Sequence, residues 1–409
     1  MAKTYETYKD SGVAWIGEIP NNWKICRIKD EYIFQTGATP PTGKEEFFEG
    51  DNVWISIADM KERIVYDSKK KLSDLGVQKC SMSIVPQGCL LYSFKLSVGQ
   101  VAFAGCDLYT NEAIASFLTE RGYLPFLYYT APLFIVYNAN TNIYGASILN
   151  QELIKNAFIP LPPLHEQQAI ASFLDKKCEE IDSLIALQDE MISELQAYKQ
   201  SVIAETVTKG LDPNAKMKDS GVEWIGEIPE NWKIQRLKFT CTIETGNQDT
   251  QNADSEGIYP FYVRSPIVER CNKYTFEGEG ILMAGDGAGA GRIFHHAFGK
   301  YAVHQRVYRL ANIKNIESNF LFYFLSSLFC REMDRGSAQS TVPSVRLPML
   351  QNFNICIPTD REQDSIVKYI CNKCGQIDSL ISLKQEKIAE LKNYRKSIIY
   401  EYVTGKKRV

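Results

Sequence analysis

Two blocks of this chain occur twice in the same order, and that repeat constrains the fold more than any other feature. Residues 9–24 read KDSGVAWIGEIPNNWK, and residues 218–233 read KDSGVEWIGEIPENWK, with two differences. Lys218 stands 209 residues after Lys9. Residues 162–187 read PPLHEQQAIASFLDKKCEEIDSLIAL, and residues 358–383 read PTDREQDSIVKYICNKCGQIDSLISL. Pro358 stands only 196 residues after Pro162, so the second middle is 13 residues shorter than the first. The order is leader, divergent middle and shared tail, twice. Between the shared blocks the middles barely align beyond Thr36-Gly37 and Thr245-Gly246. A scaffold kept twice around different middles implies one structural job done twice and one reading job done differently each time.

The tails predict long helices. In the first, Ile181, Leu184, Gln188, Met191, Leu195, Tyr198 and Val202 recur at alternating steps of three and four, as do Ile377, Leu380, Lys384, Lys387, Leu391, Tyr394 and Ile398 in the second. That spacing is a heptad seam, with Gln188 and Lys384 as polar positions that fix register. About 40 residues at ~1.5 Å each make a rod of roughly 60 Å. One rod is acidic and the other basic, so we expect the two to pair antiparallel as a coiled coil; the alternative is that each packs on its own domain. The middles predict mixed α/β structure, with strands at 52–57, 89–94, 100–104, 280–284 and 303–310 and helices at 123–137 and 319–334. The expected fold is thus α/β (α+β). Two globular domains, 1–160 and 211–356, are joined by a central helix, 161–210, and a C-terminal helix, 357–409, in a pseudo-two-fold duplication.

Charge bears on what such heads could bind. The net charge of the 409 residues is −3. Residues 162–216 carry 5 basic and 10 acidic side chains, whereas residues 233–355 carry 14 basic and 11 acidic ones. The acidity is therefore concentrated in one helix, and a nucleic-acid face must be a local patch. Residues 1–12 lack the apolar core of a signal peptide. No run of about 18 apolar residues spans a membrane. Eleven scattered cysteines fit reduced thiols in a cytosolic protein.

Catalytic signatures are scarce. An amino-methyltransferase needs a (D/N)PP(F/Y)-like turn, and neither Pro40-Pro41 nor Pro162-Pro163 provides one. There is no GxxxxGK(S/T) loop. The run 285–292, GDGAGAGR, lacks a lysine and has no acidic partner about 20 residues on, so a cofactor loop is disfavoured against a recognition loop or a structural turn. His295, His296 and His304 would need Cys271 to complete a zinc site, and we expect no metal.

The leader, the PLPPLHEQ block and the long helix after it resemble the specificity subunit of type I restriction–modification systems, over the whole length and in both copies. The resemblance implies that each middle is a target recognition domain reading one half of a bipartite, asymmetric DNA site. It implies that the paired helices set the gap between the halves. It also implies a non-catalytic, cytoplasmic prokaryotic protein with two methyltransferase subunits and motor-nuclease subunits as partners. S-adenosylmethionine, ATP and magnesium would then belong to those partners and not to this chain. Two other readings remain: a DNA methyltransferase or endonuclease in its own right, and a coiled-coil scaffold without a DNA role.

Candidate DNA contacts follow from side-chain chemistry. Arginine reads guanine with two hydrogen bonds, glutamine reads adenine, and lysine mostly holds phosphate. In the second head Arg292, His295, His304, Gln305 and Arg306 crowd together, with His296, Lys300 and Arg309 close by. Arg309 could equally be a solvated strand face. In the first head Ser93, Lys95 and Asn111 occupy the corresponding stretch. Thr36, Gly37 and Thr39, with Thr245 and Gln248, form a second set of loops, whose small residues permit close approach to a backbone. Lys69, Lys70 and Lys71 are either a phosphate patch or an exposed turn. Trp15 and Trp224 are either buried anchors or contacts for a partner.

Overall fold

The computed structural model describes residues 4–95, 97–141, 147–336 and 343–409. Compactness divides the chain into two units that do not follow chain order: residues 1–186 together with 387–409, and residues 187–386. Each unit has its own head and parts of both long helices.

The repeated leader is a hairpin in each unit. Tyr8–Asp10 pairs antiparallel with Glu18–Pro20, and Met217–Asp219 with Glu227–Pro229. Its shared letters are turn chemistry. Asp10 Oδ1 accepts the Gly12 N–H at 2.9 Å, and Asp219 Oδ1 accepts the Gly221 N–H at 2.9 Å. Gly12 and Gly221 both sit at φ 73°, where a side chain would be strained. Lys9 Nζ donates to the Asn21 carbonyl at 2.8 Å, and Lys218 Nζ to the Glu230 carbonyl at 2.6 Å.

After each leader comes a clasp. Lys24–Arg27 pairs antiparallel with Phe158–Leu161, and Lys233–Arg236 with Asn354–Ile357. The divergent middle of each unit lies between the two strands of its clasp.

The divergent middles share a topology. In the first head the strands run Phe34–Thr36, Ile114–Phe117, Leu90–Ser93, Val101–Ala104 across one sheet, with Ile64–Val65 added at the edge. In the second the order is Thr242–Thr245, Val307–Ala311, Gly280–Ala284, Phe294–Ala297. Each head has a further small sheet in which a parallel pair recurs: Tyr109–Thr110 with Asn52–Ile55, and Lys300–Val303 with Tyr259–Tyr262. The expected strand 303–310 is broken by a turn at residues 304–306, because the chain passes there from the small sheet to the large one. Both faces of the large sheet are covered, so alternate side chains enter different cores. Leu90 and Tyr92 join the helical core of the first unit and Leu91 joins a second core; Ile281 and Met283 divide from Leu282 in the same way. The helices Leu124–Phe134 and Ser318–Gly336 cover the helical side.

The long helices are Leu164–Lys209 and Asp360–Val403, 46 and 44 residues, or about 69 and 66 Å at ~1.5 Å per residue. Within the first unit Arg395 pairs with Asp182 at 3.3 Å, and Tyr402 packs on Phe173 with ring centroids 4.5 Å apart. Within the second, Lys199 pairs with Asp378 at 2.7 Å, and Lys384 Nζ donates to Gln188 Oε1 at 3.3 Å. In each unit rising numbers on one helix meet falling numbers on the other, so the pairing is antiparallel.

The enclosed seam differs in phase from the one read from the heptads. Ile181, Ile377 and Ile398 are buried, and Leu195, Val202 and Leu391 are half-buried. Leu184, Met191, Tyr198, Leu380 and Tyr394 are exposed. The alternate positions are filled by Ile185, Ile192 and Lys199, and by Ile381, Ile388 and Arg395. Steps of three-then-four and four-then-three share every second residue. Adjacent apolar pairs such as Leu184-Ile185 and Leu380-Ile381 satisfy either phase, so periodicity alone could not choose.

Both helices end on a glycine in the left-handed region, Gly210 at φ 74° and Gly405 at φ 72°. Gly210 lies against Trp232 and Pro229 in the second unit, and Gly405 against Trp23 and Pro20 in the first. Thus the end of the second helix meets the first leader as the end of the first helix meets the second.

Candidate nucleic-acid interface

The repeated Glu-Gln of the tails locks leader to helix. Glu166 accepts hydrogen bonds from the Tyr5 hydroxyl at 2.7 Å, from Trp23 Nε1 at 3.0 Å and from Asn22 Nδ2. Burial opposes its charge, but these donors outweigh burial and hold the carboxyl below its usual range. In the second unit Glu362 accepts from Trp232 Nε1 and Asn231 Nδ2, each at 3.2 Å. Gln167 and Gln363 donate to the carbonyls of Pro162 and Pro358. Trp23 and Trp232 are fully buried, whereas Trp15 stacks on Tyr137 at 5.9 Å and Trp224 on Phe353 at 5.2 Å, both half-buried. The repeats are therefore scaffold, and the loops of the heads are left as the variable surface.

In the first head three turns meet at one edge. Gly37 lies so close to the Thr110 carbonyl that a Cβ would come within 1.6 Å of its oxygen. The small residue thus permits approach to the chain's own backbone. The Ala38 N–H donates to Thr110 O at 3.0 Å, and Trp54 Nε1 donates to Ala38 O at 3.0 Å. Thr36 accepts from Gln151 Nε2 at 2.9 Å. The Thr39 hydroxyl donates to Glu112, which holds that carboxyl below its usual range, with the nearby Lys95 charge adding to the effect. Asn111 Oδ1 accepts the Ala113 N–H at 3.1 Å. Lys95 is exposed. Ser93 is fully buried and its hydroxyl ties the following turn together, donating to Ser97 O and accepting from the Gln100 N–H at 3.0 Å. Its expected DNA contact is therefore corrected to an internal role. Leu96 of the same turn lies outside the described residues.

The second head repeats this edge with other side chains. Gly246 likewise crowds Val303 O, where a Cβ would come within 2.0 Å. Thr245 is exposed. Gln248 N–H donates to Val303 O at 3.3 Å, and Gln248 O accepts from Gln305 N–H at 2.8 Å. The Gln305 side chain donates to Asp249 Oδ2 at 2.6 Å. His304 is buried and its Nδ1 accepts the Arg306 N–H at 3.0 Å. Burial, then the Arg264 charge, holds its pKa below the usual histidine value, so the ring is neutral and its expected DNA contact is corrected to an internal one. His295 Nε2 lies 3.0 Å from Ser265 O and is half-buried. Arg292 is exposed, in the turn 285–292. That turn joins the antiparallel strands Gly280–Ala284 and Phe294–Ala297 and opens no helix, so it lacks the helix N-terminus of a phosphate loop.

The centre of this edge is Asp286. Its Oδ1 accepts from Arg264 Nη1 at 2.8 Å, and its Oδ2 from Arg306 Nη1 at 2.7 Å. Burial works against the charge, but the two arginines prevail and hold the carboxyl below its usual pKa. Arg264 was not among the sequence candidates, since no spacing marks it; it follows the strand Tyr259–Tyr262 in an exposed turn. Arg309 is neither a solvated face nor a free reader. It is buried, pairs with Glu244, and donates to the Tyr301 hydroxyl at 2.8 Å. Lys71 pairs with Asp67 at 3.2 Å, and Lys69 and Lys70 are exposed. Among the described residues no group of three or more His, Cys, Asp and Glu side chains could hold a metal, and no helix is long and apolar enough to cross a membrane.

Comparison with known proteins agrees with this architecture. The type I restriction modification DNA specificity domain matches residues 20–196 and again residues 229–393. The chain is 25% identical to the type I restriction enzyme MjaVIII specificity subunit of Methanocaldococcus jannaschii, over 96% of this chain and 94% of that one. It is 33% identical to the EcoBI specificity subunit of Escherichia coli, over 68% of this chain and 65% of that one. A chain solved in work on assembly and conformational transition of a type I R-M system superposes with a TM-score of 0.70 at 19% identity, covering 94% of this chain and 98% of that chain. The HsdS subunit from Thermoanaerobacter tengcongensis gives 0.50 at 18% identity, covering 95% and 98%. With both copies of the repeat matched and one strand order in both heads, the chain belongs to the type I restriction–modification DNA specificity family.

Proposed function

We propose that this chain reads a bipartite DNA site, one half with each head, and carries out no chemistry itself. One observation carries the reading: two heads of one strand order present different side chains on the same turns. A shared frame with unlike loops suits two different half-sites. The long helices would set the gap between the halves, since ~60–70 Å is about two turns of B-DNA. Their exposed apolar residues, Leu187, Met191, Leu380 and Leu383 among them, suit docking of two methyltransferase subunits, through which motor-nuclease subunits would join. S-adenosylmethionine, ATP and magnesium would be bound by those partners and none by this chain. The acidic helix, a first head without net positive charge and a second with little of it fit a protein that relies on partners for much of its phosphate affinity. The setting would be the prokaryotic cytoplasm.

The test is a footprint of the full chain with methyltransferase subunits. We expect two protected half-sites, of which exchange of the second head moves only one. S-adenosylmethionine binding or DNA cleavage by the purified chain alone would favour a catalytic reading. Absence of any sequence preference with partners present would favour a scaffold.

A further inference from the structure

We propose that Asp286 holds Arg264 and Arg306 as a fork that reads guanine in the half-site of the second head. The proposal rests on the reading of the heads as DNA-recognition domains and adds a base and three residues to it. Three separate turns supply the fork. Arg264 follows the strand Tyr259–Tyr262, Asp286 follows Gly280–Ala284, and Arg306 precedes Val307–Ala311. Each arginine spends one Nη1 on a carboxylate oxygen, and their side chains are 43% and 62% exposed. The carboxylate itself is 15% exposed. Further guanidinium N–H groups of both arginines therefore remain to meet a ligand.

Two features favour a base edge over a phosphate. A carboxylate between two arginines lowers the local positive charge and repels phosphate, so it weakens a backbone contact. The same carboxylate fixes the direction of both forks, which bidentate recognition of guanine O6 and N7 requires and a phosphate contact does not. Gln305 beside them is likewise oriented by an acid, Asp249. The first head has no such fork. Ile114 pairs with Ser93 as Val307 pairs with Ala284, which puts Lys95 at the position of Asp286. Thr110 pairs with Ile55 as Val303 pairs with Tyr262, which puts Ile57 at the position of Arg264. Guanine reading by this device belongs to the second head alone.

The experiment maps the methylated motif by single-molecule sequencing, using the full chain with methyltransferase subunits, for wild type, Arg264→Ala, Arg306→Ala and Asp286→Asn. We expect each arginine variant to lose about ten- to a hundredfold of its discrimination at one G·C pair of one half-site, with the other half unchanged. Asp286→Asn should relax both of those pairs and no others. A uniform loss at all positions with a shallower salt dependence would mean phosphate contacts and overturn the proposal. Relaxation at an A·T pair, or in the other half-site, would overturn it as well. A wild-type chain with no bipartite motif removes the proposed function itself. A bipartite motif untouched by the variants removes only the fork.

Discussion

After the third strand of the shared sheet the first head carries Lys95 and the second carries Asp286; one turn away, the first carries Glu112 and the second Gln305 and Arg306. The same backbone frame thus places the cation on one turn and the acid on the other, and then reverses them. The frame needs only what both heads keep: a glycine against a neighbouring carbonyl, a clasp and a tryptophan held by a glutamate. The attachment of head to helix differs too. Tyr129 donates to Asp175 at 2.6 Å, and Arg63 pairs with the same carboxylate while lying over the Tyr128 ring at 4.9 Å. In the second unit Tyr323 meets Cys371 at 3.3 Å, 196 residues after Asp175. Charge is free to vary where the frame does not depend on it.

The comparison can be broken most forcefully at the shared anchors. Trp23→Ala and Trp232→Ala should each cost about 3–5 kcal/mol in urea unfolding of the full chain. Unequal costs well outside that range would mean that the two leaders are not equivalent. Next come Gly37→Ala and Gly246→Ala. Each methyl would strike a backbone carbonyl, so we expect about 3 kcal/mol of destabilisation from either, again equally. A tolerated alanine at either place would show that the two turns are not fixed to each other.

His304 sharpens the contrast through pH. Its folded pKa is depressed by burial, so the unfolded chain binds the proton more readily. Stability from the neutral ring is complete above the unfolded value, about 6.5, and is lost as pH falls from there through the folded pKa. The first head has Asn111 at the matching place and should not share this loss. His304→Asn should flatten the pH dependence of second-unit unfolding in that window, and an unchanged curve would assign it to other groups. The smallest effect is expected at Arg63. Its pair with Asp175 is more than a third exposed, so Arg63→Ala should lower first-unit stability by no more than about 1 kcal/mol and leave the second unit alone.

Much of the frame was legible because the chain states it twice. The leader and the Glu-Gln of the tail stood out as repeats, but the letters pointed to Trp15 and Trp224 as anchors where packing buries Trp23 and Trp232, and no alternation marked the short clasp strands. The helix phase was half legible, since Leu184-Ile185 and Leu380-Ile381 offer an apolar residue to either stepping. The heads were legible as strands but not as one topology, because alternation marks a strand and not its partner. Ser93 and His304 look like polar readers in the letters, and only packing reveals that they face inward. Arg264 lies 42 residues before Arg306, and nothing local joins them until the sheet brings their turns together.

The clasps have a consequence for inheritance. Each variable head enters and leaves its unit through one pair of strands, with a near-identical leader before it and a related tail after it. A crossover within the leader and another within the tail would move all the strands and turns of a head and keep the tryptophan–glutamate anchors, leaving only the contacts of head with helix, such as Tyr129 on Asp175, to be remade. New DNA specificities can then arise by exchange of whole cassettes, with no intermediate in which a half-built head must fold.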